Sequence, residues 1–236
     1  MRSAVTGSRL GSLRSCQNRL MLRARTVARR AIPAPVRRRI WAMQSQRQGQ
    51  HWVRVVMDRE IEEFLLGLDP SALDAIEISG DGRAGLPWKS FTSVHYPAFD
   101  LLAPHDVGCF DVVICEQVLE HVTDPWKATP ARAGLCRPGG HVIISTSFML
   151  RVHADPIDNW RFTPNGLSEV VRSAGLEPVA VSSWGNTWCI RRNHRHWAIY
   201  RPWHRVLSPW ALRNDPLVPQ VVWAFAIRPR STAPAE

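Results

Sequence analysis

The sequence predicts an α/β fold: a doubly wound, mostly parallel sheet of six or seven strands with helices on both faces and an antiparallel last strand. Three observations carry this. Val112-Val113-Ile114-Cys115 and Val142-Ile143-Ile144 are apolar runs without an alternating polar face, the pattern of strands covered on both sides. Between them lies a polar, partly helical connection of the length a right-handed crossover needs. The chain, at 236 residues, suits one such domain with extensions.

Charge is distributed unevenly. The net charge of +10 conceals thirteen Arg and no acid in residues 1–57, six basic against fourteen acidic residues in 58–150, and eleven Arg against six acids in the remainder. A basic tail on an acidic centre argues against a fold that binds nucleic acid over its whole surface, and no obligatory nucleic-acid partner is expected. Peripheral contact of the tail with an anionic membrane stays open. No apolar run reaches the roughly eighteen residues of a membrane span, and the first residues lack the apolar core of a secretory signal, so a cytoplasmic protein is expected. The five cysteines show no Cys/His ligand spacing; reduced thiols and no metal site are expected.

Residues 1–50 read as a mobile Arg-rich tail, 51–230 as the domain, 184–216 as a Trp/Arg-rich insertion within it, and 231–236 as a C-terminal tail. From Trp52 onward Met57, Ile61, Phe64, Leu65 and Leu68 fall on one helical face, and Asp69-Pro70 ends the helix. This helix is expected to lie across the sheet and cover part of a cleft. Ala75–Ser79 reads as the first strand, followed by Gly80-Asp81-Gly82-Arg83-Ala84-Gly85. That string matches G-x-G-x-x-G, with Asp100 twenty residues beyond Gly80, yet Pro87 and the strand at Phe91–Val94 leave no room for a crossover helix. The glycines then serve a tight turn and close ligand approach; a nicotinamide-dependent reductase would rest on this string alone. Pro138-Gly139-Gly140 reads as a turn into the next strand. Thr163-Pro164 starts a helix with Thr as N-cap, Gly175 ends it, and Pro178–Ser183 and Val221–Ile227 are the last strands. The tryptophans at 184, 188, 197, 203 and 210 read as the small core of the insertion.

Phe110-Asp111-Val112-Val113-Ile114-Cys115-Glu116-Gln117-Val118-Leu119-Glu120-His121-Val122, with Arg137-Pro138-Gly139-Gly140-His141-Val142-Ile143-Ile144, resembles the fourth- and fifth-strand region of class I S-adenosylmethionine-dependent methyltransferases with a Rossmann-like fold. The nearest group is the small-molecule, type 11-like one, and the similarity runs from about Ala72 to Gly175.

The resemblance implies S-adenosylmethionine as cofactor, with Glu77, Gly80 and Gly82 around its methionine part and Glu116 and Gln117 at the end of the central strand. At the end of the second strand an acid for the ribose is absent; His95, with Tyr96, or Asp100 stands in for it. The loop after the fifth strand should face the acceptor. His153, Asp155 and Asp158 are the candidates there for a general base, and Trp160 and Arg161 for substrate contacts; pairing of Asp158 with Arg161 to hold the loop is the alternative. His121 is expected on the helix after the central strand, as a brace. The implied activity is methyl transfer to an O or N nucleophile of a small-molecule or glycan-type acceptor. The rival is a catalytically inactive module that binds nucleic acid or an anionic membrane through its tail.

Overall fold

The computed structural model describes residues 50–104, 106–154, 156–194, 196–201, 203–204 and 210–230. The basic tail up to residue 49, Cys16, Asp155 and residues 231–236 lie outside them.

The chain enters through Gln50–His51, which pairs antiparallel with Ile199–Tyr200, and passes into helix α1, Arg54–Gly67. Val56, Met57, Ile61 and Leu65 form its buried face, and Phe64 stacks on Phe225 with ring centroids 4.1 Å apart. Asp69, in the left-handed region with φ of 54°, turns the chain out of the helix, and Pro70 opens a single 3₁₀ turn. The six strands of the main sheet are β1 Asp74–Ile78, β2 Ser90–Val94, β3 Phe110–Glu116, β4 Cys136–Ser147, β5 Glu177–Trp184 and β6 Val221–Ile227. Helices α2 (Pro125–Leu135), α3 (Pro164–Ser173) and α4 (Thr187–Asn193) complete the framework.

The sheet order is β2-β1-β3-β4-β6-β5. The first four strands are parallel, and β6 runs antiparallel to both β4 and β5. The expected α/β class and antiparallel last strand are present, and the sheet has six strands, the lower of the two expected numbers. Among the described residues no helix intervenes between β1 and β2 or between β2 and β3, as the short links required.

Side-chain alternation sorts the interior into two cores. Ile76, Ile78, Val113, Cys115, Val142 and Ile144 face one side and meet Ala133 and Leu135 of α2 and Leu167, Val170 and Val171 of α3. Ala75, Val112, Ile114 and Ile143 face the other and meet Met57, Ile61 and Leu65 of α1, together with Trp52 and Trp184. A period of two in a strand makes this division obligatory. Val112, Val113 and Ile114 are each fully buried, which explains why β3 reads as an unbroken apolar run.

Three details depart from the sequence reading. Arg137-Pro138-Gly139-Gly140 is not a turn before the strand but lies within β4. The register shifts between Phe110 and Val112, Gly139 takes φ of 83°, and a Cβ on Gly140 would sit 2.6 Å from the Asp111 carbonyl. The segment is an irregularity that lets β4 follow β3. His121 lies in a turn, not a helix; α2 begins only at Pro125, where the Asp124 side chain accepts from Lys127 N at 3.1 Å. The insertion is also less uniform than expected. Trp184 is buried, with its indole N–H donating to Leu212 O at 3.0 Å, while Trp203 and Trp210 are more than half exposed.

Two glycines should respond in opposite directions. A Cβ on Gly185, just after β5, would lie 2.3 Å from Val218 O and 2.4 Å from Gln220 N, so Gly185→Ala should lower unfolding stability by about 2–4 kcal/mol. Gly134 in α2 has nothing within 4 Å of its added Cβ, and Gly134→Ala should raise stability by about 0.5–1 kcal/mol. Urea unfolding midpoints check both; equal shifts would contradict this packing.

Candidate functional site

The carboxyl ends of β1, β3 and β4 set the site, as in other parallel sheets whose crossovers leave a crevice there. At the end of β1 the Glu77 side chain turns into the loop that follows. Its carboxylate accepts from Gly82 N at 3.0 Å and Arg83 N at 2.8 Å. Ser79 takes φ of 60° to start the turn. A Cβ on Gly80 would lie 2.3 Å from Glu77 Oε1, so the glycine here is demanded by the carboxylate beneath it. Burial, with the nearby Glu116 charge adding to it, pushes the Glu77 carboxyl up to about 7; the two backbone N–H groups and Arg83 oppose the rise.

Glu116 ends β3 and carries two guanidinium groups. Arg83 Nε donates to its Oε1 at 2.7 Å, and Arg54 of α1 makes a short contact to its Oε2. Asp58, one turn along α1 from Arg54, pairs with both arginines, at 3.0 Å and 3.2 Å. Burial works against the charge of each guanidinium, but Asp58 and Glu116 more than offset it and both pKa values are raised. The helix therefore covers this end of the sheet through charge as well as apolar contact. Arg54, Asp58 and Arg83 were missed in the sequence. The available signals were the i, i+4 spacing of Arg54 and Asp58 and an arginine between the second and third glycines of the loop.

The second-strand end is more open. His95 is exposed, with Nε2 2.9 Å from Ser93 Oγ, and the same hydroxyl donates to Gly80 O at 2.6 Å. His95 is thus tied to the glycine loop through Ser93. Asp100 is exposed and accepts from Leu102 N at 2.9 Å, and Tyr96 is 59% exposed.

Beyond Glu116, Gln117 adopts φ of 55°. Its amide lies between the ends of β3 and β4, with the nitrogen 3.0 Å from Glu120 Oε1 and 3.1 Å from Ser147 Oγ. Glu120 is fully buried. Thr146 Oγ1 and Ser147 Oγ donate to it at 3.0 and 2.9 Å, and its backbone carbonyl accepts from Asn159 N and Trp160 N. His121 donates from Nδ1 to Ile157 O. Glu120 and His121 together pin the loop that follows β4.

In that loop His153 stands 4.0 Å from Glu120 Oε1 through Nε2. Its Nδ1 faces Arg151 O at 3.2 Å and Asp158 Oδ2 at 3.5 Å, and its ring packs edge-on against His121 and Trp197. Asp158 is clamped by Arg161, one contact being 2.6 Å, and accepts from His153 N at 2.7 Å. The Arg161 hydrogen bonds hold the Asp158 carboxyl down at about 2. Trp160 donates from its indole to Val122 O at 3.0 Å and meets Trp126 edge-on. The structure thus brings Glu77, Gly80, Gly82, Glu116 and Gln117 to one set of strand ends and joins His153, Asp158 and Arg161 in one loop.

Glu77 gives this site a pH signature. Its pKa of about 7 lies above the ordinary 4.5, so between those values the folded chain holds a proton that the unfolded chain has released. Stability should therefore fall as pH rises from about 4.5 to 7, by up to about 3 kcal/mol at roughly 1.4 kcal/mol per pKa unit. Glu77→Gln should remove that slope. Parallel urea titrations of the two proteins across this range measure it, and identical slopes would refute the assignment.

Residues 55–144 match the family model described as methyltransferase domain. A ubiquinone biosynthesis O-methyltransferase of Ralstonia nicotianae is 38% identical over 99 residues, covering 35% of this chain and 42% of the relative. One of the same name from Cupriavidus pinatubonensis is 37% identical over 110 residues, covering 39% and 44%. The chain thus spans less than half the length of these curated relatives. An S-adenosylmethionine-dependent methyltransferase from Mesorhizobium loti overlays at a TM-score of 0.44 and 14% identity, over 66% of this chain and 91% of that one. The matched stretch holds most of α1, the glycine loop, Glu116 and the Glu120-His121 turn, and over these residues the chain is similar to the methyltransferase domain.

Proposed function

We propose that the protein is an S-adenosylmethionine-dependent methyltransferase acting on a hydroxyl oxygen of a small-molecule acceptor. The observation that carries the reading is the loop around Glu77: a buried carboxylate under Gly80, with Gly82 and Arg83 wrapped on it, inside a segment matching the methyltransferase domain. The cradle fits the cofactor on its own chemistry. The amino-acid end of the cofactor bears an ammonium and a carboxylate, and this corner offers both signs, Glu77 and Glu116 against Arg54 and Arg83. Gly80 and Gly82 allow a ligand to approach the backbone. His95 and Ser93 beside them offer hydrogen bonds to a ribose, in place of an acid.

The cofactor, when bound, supplies an electrophilic sulfonium methyl with a neutral leaving group. What remains for the protein is alignment, exclusion of water and custody of one proton. Orientation of this kind is worth roughly 7–11 kcal/mol. In this reading His153 takes the acceptor proton at Nε2, while Asp158 and Arg161 act on its orientation: Asp158 is committed to Arg161 and to the His153 backbone, and its low pKa makes it a poor base. The acceptor preference for oxygen follows the names of the O-methyltransferase relatives.

Titration of the purified full chain with S-adenosylhomocysteine by calorimetry tests the reading. Saturable binding is expected, lost in Gly80→Arg, whose side chain must enter the space of the Glu77 carboxylate. Absence of binding at millimolar ligand would overturn the proposal and favour an inactive binding module.

A further inference from the structure

The geometry points to a divalent-metal site formed by Glu120, His121 and His153, taking Zn²⁺ or a neighbouring first-row ion, at the boundary between the strand ends and the loop after β4. Among the described residues these three each bring one ligand atom to within 4.8 Å of the others. They come from two segments more than thirty residues apart in sequence, the turn after β3 and the loop after β4, so local chain direction alone does not explain the convergence.

Two further observations point to a cation. The first is the state of the carboxylate. Glu120 is buried at 0% exposure, and among the described residues its hydrogen-bond partners are the hydroxyls of Thr146 and Ser147 and the amide of Gln117, all of them neutral. Arg161 feels its charge but spends its guanidinium on Asp158 and on backbone carbonyls. A buried carboxylate without a cation in contact is costly, and a metal ion is one of the two ways such groups are accommodated.

The second observation is the state of the imidazoles. His121 Nδ1 faces Ile157 O, and His153 Nδ1 faces Arg151 O with Asp158 beside it. A carbonyl can only accept, so each Nδ1 carries the hydrogen, and each neutral ring is left with its lone pair on Nε2. In His153 that nitrogen is the one facing Glu120. Carbonyl and carboxylate partners on the far nitrogen are the arrangement that orients metal-bound histidines.

Two imidazole nitrogens and one carboxylate oxygen suit Zn²⁺, Mn²⁺, Fe²⁺ or Co²⁺, whereas Mg²⁺ and Ca²⁺ prefer oxygen alone. A tetrahedral ion would set ligand atoms about 3.3 Å apart, so the three side chains must draw together by up to about 1.5 Å when the ion binds. Three protein ligands leave at least one position open, as in catalytic sites. Resting on the methyl-transfer reading, a bound ion would occupy His153 Nε2 and replace it as the group that activates the acceptor hydroxyl, which would take the open position and release its proton to solvent. The sequence had suggested no metal, because a Glu-His pair in a turn and a lone histidine thirty-two positions later match no compact ligand spacing.

The test uses the full chain stripped with EDTA and dialysed. Calorimetry with Zn²⁺ should show one saturable site, weakened at least tenfold in His153→Ala and in His121→Ala, with far-UV circular dichroism confirming that both fold. Co²⁺ should give visible d–d absorption that His153→Ala abolishes. No saturable Zn²⁺ binding, or binding unchanged in both variants, overturns the site. Adding S-adenosylhomocysteine to the same samples separates the two proposals: Zn²⁺ binding without cofactor binding upholds the metal site and rejects methyl transfer, and cofactor binding without Zn²⁺ does the reverse.

Discussion

The ion cluster on Glu116 holds the functional end of the molecule together. One carboxylate at the end of β3 receives Arg54 from the helix that crosses the sheet and Arg83 from the loop after β1. Removing Glu116 would leave two guanidinium groups facing Asp58 alone in a nearly closed space, a loss commonly of about 3–5 kcal/mol. The position of the loop depends on this cluster because no crossover helix follows β1 to hold it. In a longer βαβ unit, helix packing fixes the loop; here an arginine inside the loop does so. Burial sets the raised pKa of the Glu77 carboxyl, and the charge of Glu116 in this cluster adds to it.

Four residues farther on, Glu120 has the opposite surroundings. Glu116 faces guanidinium groups, while Glu120 faces hydroxyls and two histidines. The difference arises in the backbone. Gln117, in the left-handed region, breaks the strand direction between them, and the two carboxylates meet different partners, arginines for Glu116 and the β4 hydroxyls for Glu120. One therefore belongs to the cofactor side in the reading proposed above, and the other to the acceptor side. The turn also lets Glu120 fasten the acceptor loop through its own carbonyl, so backbone and side chain of a single residue connect β3, β4 and the loop.

Much of the framework could be read from the sequence because it depends on local pattern. The buried strands, the apolar face of α1 and the Thr163 cap, where Oγ1 accepts from Gly166 N at 3.0 Å, follow from residue type and spacing. The irregular start of β4 could not be read in this way, since Pro138-Gly139-Gly140 is also a turn string and only pairing with β3 decides between them. At the site, Glu77 and the glycines were legible through their order along the chain. Arg54, Asp58 and Arg83 were not, because the Arg54–Glu116 contact spans sixty-two positions and the Arg83–Glu116 contact thirty-three. The placement of His121 failed for a related reason: Val118 to Val122 has helical composition, but the demand of Glu120 for the β4 hydroxyls bends it into a turn.

The acceptor loop shows how a residue of ordinary appearance acquires a defined role. Asp158 carries the charge in Asp158–Arg161, but that charge is fully engaged, and the low carboxyl pKa records the engagement. The pair then fixes the backbone of His153 and, with Arg151 O, faces one of its ring nitrogens. The other nitrogen is directed at Glu120. A lone imidazole on a mobile loop would sample many directions, whereas this one is confined by a carbonyl, a carboxylate and two ring contacts, to His121 and Trp197. Confinement of that kind costs side-chain entropy and adds little to stability for a half-buried residue. Its physical consequence is a lone pair held in one direction, which is what either proton transfer or metal ligation at this position requires.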